Sequence, residues 1–135
     1  MLPQHTTREI TFRNGAALGI SNKWAGGGLL GTPNDLLKLG NALLQNKILS
    51  EKSRSALWTP YKLTSGKGNT YGIGFRIEKD KAGRTHMSHG GTSFGGRTFF
   101  IIYPKEELVF AIAYNLLPAG YIETEFSNIF AETIK

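Results

Sequence analysis

Three side chains in this sequence can move a proton near neutral pH: His5, His86 and His89. His86 and His89 are three residues apart. That spacing joins two ligands on a helix or tight loop, but on a strand it sends them to opposite faces. The surrounding pattern reads as a strand, so no metal site is expected, and His86 reads as structural or exposed. His89 opens the run Ser88-His89-Gly90-Gly91-Thr92-Ser93-Phe94-Gly95-Gly96. Glycines at 90 and 91 let a ligand or another backbone approach a strand edge closely. On residue type alone, His89 reads as a strand-end histidine bonded to backbone. The run has no G-x-G-x-x-G and no helix after it, so it does not read as a phosphate cradle. Asp35 reads as a helix-start acid. Trp24 reads as a packing residue against a Gly-rich loop, and Arg97 as an exposed strand-start arginine.

The elements that must position these residues follow from pattern. Arg8 to Arg13 alternates enough for a short strand, and Asn14 to Gly31 reads as loop. Thr32-Pro33-Asn34-Asp35 is a helix start with a cap, a first-turn proline and a capping-box acid. The helix should run to about Leu44, with leucines on a wide face. Ser50-Glu51 should start a second short helix that Thr59-Pro60 ends. Thr70 to Lys79 reads as a strand with Tyr71, Ile73, Phe75 and Ile77 on one face. Asp80 to Gly83 reads as a turn into an antiparallel strand, Arg84 to His89, and Gly90 to Gly96 as a bend. Arg97 to Tyr103 and Leu108 to Tyr114 are apolar on both faces and read as central strands. Ile122, Phe126, Ile129, Phe130 and Ile134 lie at helical spacing. The expectation is an α+β fold: an N-terminal loop and helical segment over 1–69, then an antiparallel β meander with a C-terminal packing helix over 70–135.

Composition narrows the function classes. The chain has 135 residues, enough for one domain or most of one. It has no cysteine, which excludes disulfides, thiolate catalysis and thiolate-bound zinc. The net charge of +6 is spread along the chain without a basic stripe and interleaved aromatics, so nucleic-acid binding is not expected. No run approaches the length of a membrane span, and no cofactor is implied.

Two stretches carry a family resemblance. The first runs from Lys23-Trp24-Ala25-Gly26-Gly27-Gly28-Leu29-Leu30-Gly31-Thr32-Pro33 to Asn41. The second is Ser88 to Gly96, followed by a strand, Tyr103-Pro104, and a strand ending at Asn115. Together they resemble the C-terminal part of the serine β-lactamase and penicillin-binding-protein-like family, in its class C-related branch. They are especially similar to mitochondrial serine β-lactamase-like proteins and their bacterial relatives. The resemblance implies the β-lactamase/transpeptidase-like fold and acyl transfer through a serine nucleophile. It places His89, Gly90 and Gly91 in the third, substrate-binding motif. Thr92 would supply one backbone oxyanion donor, the other being the nucleophile's own N–H. His89 would bind a substrate carboxylate or tune proton transfer.

The nucleophile motif S-x-x-K and its companion Y-x-N do not occur in these residues. In the family both precede the first stretch, so a chain that begins after them is expected, inactive alone. Its partners would be the absent N-terminal half of the fold, or a second copy joined through a sheet edge. A small acyl compound would be the substrate of the complete enzyme. The family setting implies the bacterial periplasm or cell envelope. The alternative is a non-catalytic fold fragment or association module.

Overall fold

The computed structural model describes residues 26–93 and 95–115, together with 126, 129, 130, 132 and 133. The strand expected over Arg8 to Arg13, Trp24 and His5 lie outside them.

Helix α1 (Pro33–Leu44) starts at Thr32, whose hydroxyl accepts from the Asp35 amide while the Asp35 carboxylate accepts from the Thr32 amide. These reciprocal bonds satisfy donors that a helix start otherwise leaves bare. The Thr32 amide and hydroxyl also hold the Asp35 carboxyl below its ordinary pKa. Helix α2 (Glu51–Leu57) is capped by Ser50, whose hydroxyl accepts from the Ser53 amide. From α2, the Arg54 guanidinium donates to the carbonyls of Leu43 and Leu44 at 3.2 and 2.6 Å. It thereby closes the C-terminal end of α1, where a cation also meets the helix dipole.

Four strands follow: β1 (Arg76–Lys79), β2 (Thr85–Ser93), β3 (Gly96–Tyr103) and β4 (Leu108–Tyr114). They form one antiparallel sheet in the order β1-β2-β3-β4, a meander. With the two helices this is the expected α+β fold. At the β1–β2 turn, Asp80 accepts from the amides of Ala82 and Arg84, each at 2.9 Å, and from Arg84 Nε at 2.8 Å. Burial works to raise the Asp80 pKa, but these donors and the Arg84 charge outweigh it and bring it below the ordinary value.

One core cluster lies between the helices and one sheet face, while Ile101 and Tyr103 are fully buried on the other. Leu43, Phe100 and Ile102 are buried at its centre, with Leu36, Leu57, Trp58, Phe75 and Val109 packed around them. Gly40 of α1 sits directly on the sheet. A Cβ there would lie 2.5 and 2.9 Å from the Val109 methyls and 3.1 Å from Phe100. Only hydrogen at that position allows this approach.

Several expectations are corrected. The strand read over Thr70 to Lys79 is confined to Arg76–Lys79. Before it, Tyr71 makes a lone bridge to Arg76, and the chain reverses through Gly74 at φ +76°. Ile73 is consequently 48% exposed instead of joining an apolar face. The bend read over Gly90 to Gly96 is mostly strand: β2 runs on to Ser93, because β3 pairs with every residue from Met87 to Ser93. Of the two strands read as central, β3 is so, whereas β4 is at an edge of the described sheet. At the C-terminus, residues 126, 129, 130, 132 and 133 are helical. Phe130 meets Phe110 with ring centroids 5.1 Å apart, but Phe126 and Ile129 are exposed.

Candidate functional site

The sheet shapes the candidate site through a mismatch of strand lengths. β1 pairs with β2 only from Thr85 to Ser88, while β2 continues five residues further, to Ser93. Among the described residues, the β1-side edge of β2 is therefore unpaired from His89 onward. Backbone groups alternate in direction along an antiparallel strand. The Asp80 amide donates to the Arg84 carbonyl at 3.0 Å, so the even-numbered groups of β2 point toward β1. At the other end, Ser93 and Gly96 close a two-residue connection and bond to each other across it. Both ends agree: Gly91 and His89 bond to β3, and the amides of Gly90 and Thr92 point to the unpaired edge.

The side chains along this segment leave it open. His89, Gly90, Gly91 and Thr92 are all exposed. A Cβ at Gly91 would meet nothing within 4 Å, so the missing side chain leaves free space beside the edge. A Cβ at Gly90 would lie 3.1 Å from the Phe99 ring on the other face. The two glycines thus serve different ends, close packing at Gly90 and an open approach at Gly91.

His89 is held by a residue that pattern reading assigned only to a strand face. The Tyr71 hydroxyl and His89 Nδ1 are 2.9 Å apart, and the two rings meet edge-on with centroids at 6.4 Å. The Arg76 guanidinium lies 5.6 Å from the Tyr71 ring centroid. Asn69 clamps the Tyr71 backbone: its Oδ1 accepts from the Tyr71 amide at 3.0 Å, and its Nδ2 donates to the carbonyl at 3.1 Å. The Tyr61 amide donates to the same carbonyl at 3.0 Å. Gly72 is buried against the carbonyls of Leu57 and Thr59, where any side chain would collide.

His86 takes no part. It is 8% exposed on the opposite face, packed on Tyr103 with centroids 5.4 Å apart. Burial pushes its pKa down, against the opposing pull of Glu78 and Asp80. Strand alternation placed it on the face away from His89, and of the two readings, structural or exposed, its burial supports the first. Asp35 is the helix-start acid it was read as. Arg97 is half-buried and engaged, not an exposed arginine. No cluster of metal-ligating side chains occurs among the described residues.

With this geometry in place, comparison with known proteins identifies the class. A family model described as Beta-lactamase matches residues 2–130, and the chain belongs to that family, one of serine hydrolases. Among curated proteins it is similar to the mitochondrial serine beta-lactamase-like protein LACTB of Mus musculus, with 28% identity over 81% of this chain. The Homo sapiens protein matches at the same identity and coverage. The chain spans about a quarter of the length of these relatives, 24%. Among solved structures, a D-stereospecific amidohydrolase from Streptomyces sp. superposes with a TM-score of 0.61 at 24% identity, over 74% of this chain and 30% of that one. A penicillin binding protein from Bacillus halodurans gives 0.59 at 21% identity, over 75% and 30%. These likenesses establish the β-lactamase/transpeptidase-like fold.

Proposed function

We propose that the free edge of β2 forms one wall of a serine-hydrolase acyl-transfer site whose nucleophile lies outside these residues. The observation that carries this reading is the unpaired edge itself, with the Gly90 and Thr92 amides pointing out and open space at Gly91. An acyl group attacked by serine develops an oxyanion that needs donors already in place. The Thr92 amide is one such donor, and the nucleophile's own amide is the other. Gly90 and Gly91 let the acyl compound lie against the strand. His89 binds a substrate carboxylate or handles a proton. The substrate class is small acyl compounds: β-lactams, D-amino-acid peptides, or small esters and amides. The names of two structural relatives, an amidohydrolase and a penicillin binding protein, support that range.

A second reading is a fold fragment or association module without hydrolase activity. Its support is that S-x-x-K and Y-x-N are absent from these residues, and that β4 (LVFAIAY) is an uncharged strand at an edge of the described sheet. Labelled penicillin separates the two. The chain alone should form no covalent adduct. Co-expressed with a companion segment of the family fold carrying S-x-x-K, it should form a complex that is acylated. Thr92→Pro removes one outward amide at a position where an edge strand tolerates proline. It should slow acylation of the complex about 100- to 1000-fold. A stoichiometric adduct on the chain alone, or an unchanged rate in Thr92→Pro, refutes the acyl-transfer reading. A stable complex that is never acylated favours the module.

A further inference from the structure

We infer that Tyr71 is a positioning residue that fixes the tautomer of His89, so that the neutral imidazole carries its proton on Nε2 and offers that N–H as a donor from an exposed side chain. The inference rests on the acyl-transfer reading only for the use made of that N–H.

The argument starts from the 2.9 Å pair between the Tyr71 hydroxyl and His89 Nδ1. One of the two atoms must donate. A phenol is a good donor and a poor acceptor, because its oxygen lone pair is drawn into the ring. A neutral imidazole has one bare nitrogen, which accepts strongly, and one N–H. The favoured arrangement is therefore Tyr71 O–H donating to bare Nδ1. The proton then resides on Nε2, at the far side of an exposed ring. A histidine with its base nitrogen occupied in this way cannot take a proton from a nucleophile while that bond lasts. It can donate to a substrate oxygen or carboxylate. The ring nitrogen that is bonded decides what the other does.

A positioning role requires that the positioner itself be held. Tyr71 is 18 residues from His89 in the chain and stands on a loop. Its backbone is fixed at both ends by Asn69 and once more by Tyr61. The Thr70 carbonyl accepts from the Ile77 amide at 2.7 Å and the Leu57 carbonyl from the Ile73 amide at 2.9 Å, which tie the loop to β1 and α2. Gly72 admits the loop against α2, where a Cβ would meet the Leu57 carbonyl. Five ordered backbone bonds around one phenol make the loop a rigid mount for its hydroxyl.

The test is nitrogen-15 NMR of the histidine rings in the 135-residue chain, at about pH 8.5, where an ordinary histidine is neutral. The wild-type chain should show His89 with protonated Nε2 and bare, hydrogen-bonded Nδ1. In Tyr71→Phe, which keeps the ring under Arg76, the Nδ1 resonance should lose its hydrogen-bond shift, and the Nδ1–H tautomer should gain population. Unchanged amide resonances along β2 and β3 certify that the variant is folded. Protonated Nδ1 in the wild-type chain overturns the inference, and that result needs no variant. Identical His89 ring resonances in wild type and Tyr71→Phe overturn it as well. Because no substrate is present, the outcome is independent of acyl transfer. If the tautomer is as stated and the companion complex is never acylated, it is the functional reading that fails.

Discussion

Gly40→Ala sets two well-characterised effects against each other at one atom. In a helix interior, alanine is favoured over glycine by about 1 kcal/mol. At Gly40, however, the new Cβ would lie 2.5 Å from Val109 Cγ1, 2.9 Å from Cγ2 and 3.1 Å from Phe100 Cζ. Carbon atoms in contact prefer roughly 3.5–4.0 Å. Both methyls of Val109 flank the spot, so turning that side chain by one rotamer leaves a methyl in place. Relief requires α1 to lift from β4 by something on the order of 1 Å, and overpacking of this kind costs about 1–3 kcal/mol. Set against the helix gain, the steric cost leaves a net loss of up to about 2 kcal/mol and a fall in Tm of up to roughly 8 °C. Val109→Ala removes both methyls and should rescue the variant, so the double mutant is more stable than the sum of the singles by about 1–2 kcal/mol. Thermal and urea unfolding, both followed by circular dichroism, measure all four proteins. A Tm that rises in Gly40→Ala, or strict additivity in the double mutant, would refute the close approach of α1 to the sheet.

Two further outcomes follow from packing and burial. Phe130→Ala removes the ring that meets Phe110 and should cost about 1–2 kcal/mol, below the loss for a fully buried phenylalanine, while Ile129→Ala, at 59% exposed, should change stability by less than about 0.5 kcal/mol; urea midpoints distinguish them. Burial depresses the His86 pKa from 6.5, so below that pH the unfolded chain binds a proton that the folded chain resists. Stability from this group is complete above pH 6.5 and declines as pH falls toward the folded pKa; His86→Phe should flatten that decline in thermal melts between about pH 5 and 7.5, and an unaltered pH profile would contradict it.

The parts of the fold legible in the sequence were those whose causes are local. Thr32 with Asp35, and Ser50 before Glu51, start helices through bonds that span three residues, so the motif and the structure coincide. The Asp80 turn is legible for the same reason. Where pairing is non-local, pattern misled. Gly90 and Gly91 read as strand breakers, yet β3 carries the ladder past them, since tertiary pairing overrides weak propensity. Alternating apolar residues from Tyr71 to Ile77 read as one strand, but Gly74 reverses the chain between them. Of the candidate site, the His89–Thr92 segment was named by the motif resemblance, and the structure lays it along the part of β2 that β1 does not pair. Its Tyr71 partner could not be: nothing in the sequence near either residue signals a bond made only when a loop folds back over the sheet. The free edge was hidden too, because it depends on how early β1 ends.

The meander also bears on how this part of the molecule assembles. Each strand pairs with the next in sequence, through connections as short as the two residues between Ser93 and Gly96 and the four between Tyr103 and Leu108. Closing short loops costs little chain entropy, and a single hairpin forms in roughly 1–10 μs. The seat for α1 is different: Phe100 and Val109 belong to β3 and β4, so a helix near the beginning of the described chain waits for strands synthesised some sixty residues later. During synthesis on a ribosome, α1 can coil through its own capping bonds, but among the described strands the sheet that its leucines cover is complete only once β4 has emerged. The apolar stripe of α1 therefore waits through that interval for its seat on the sheet, and β4, the last of the described strands to be made, completes it.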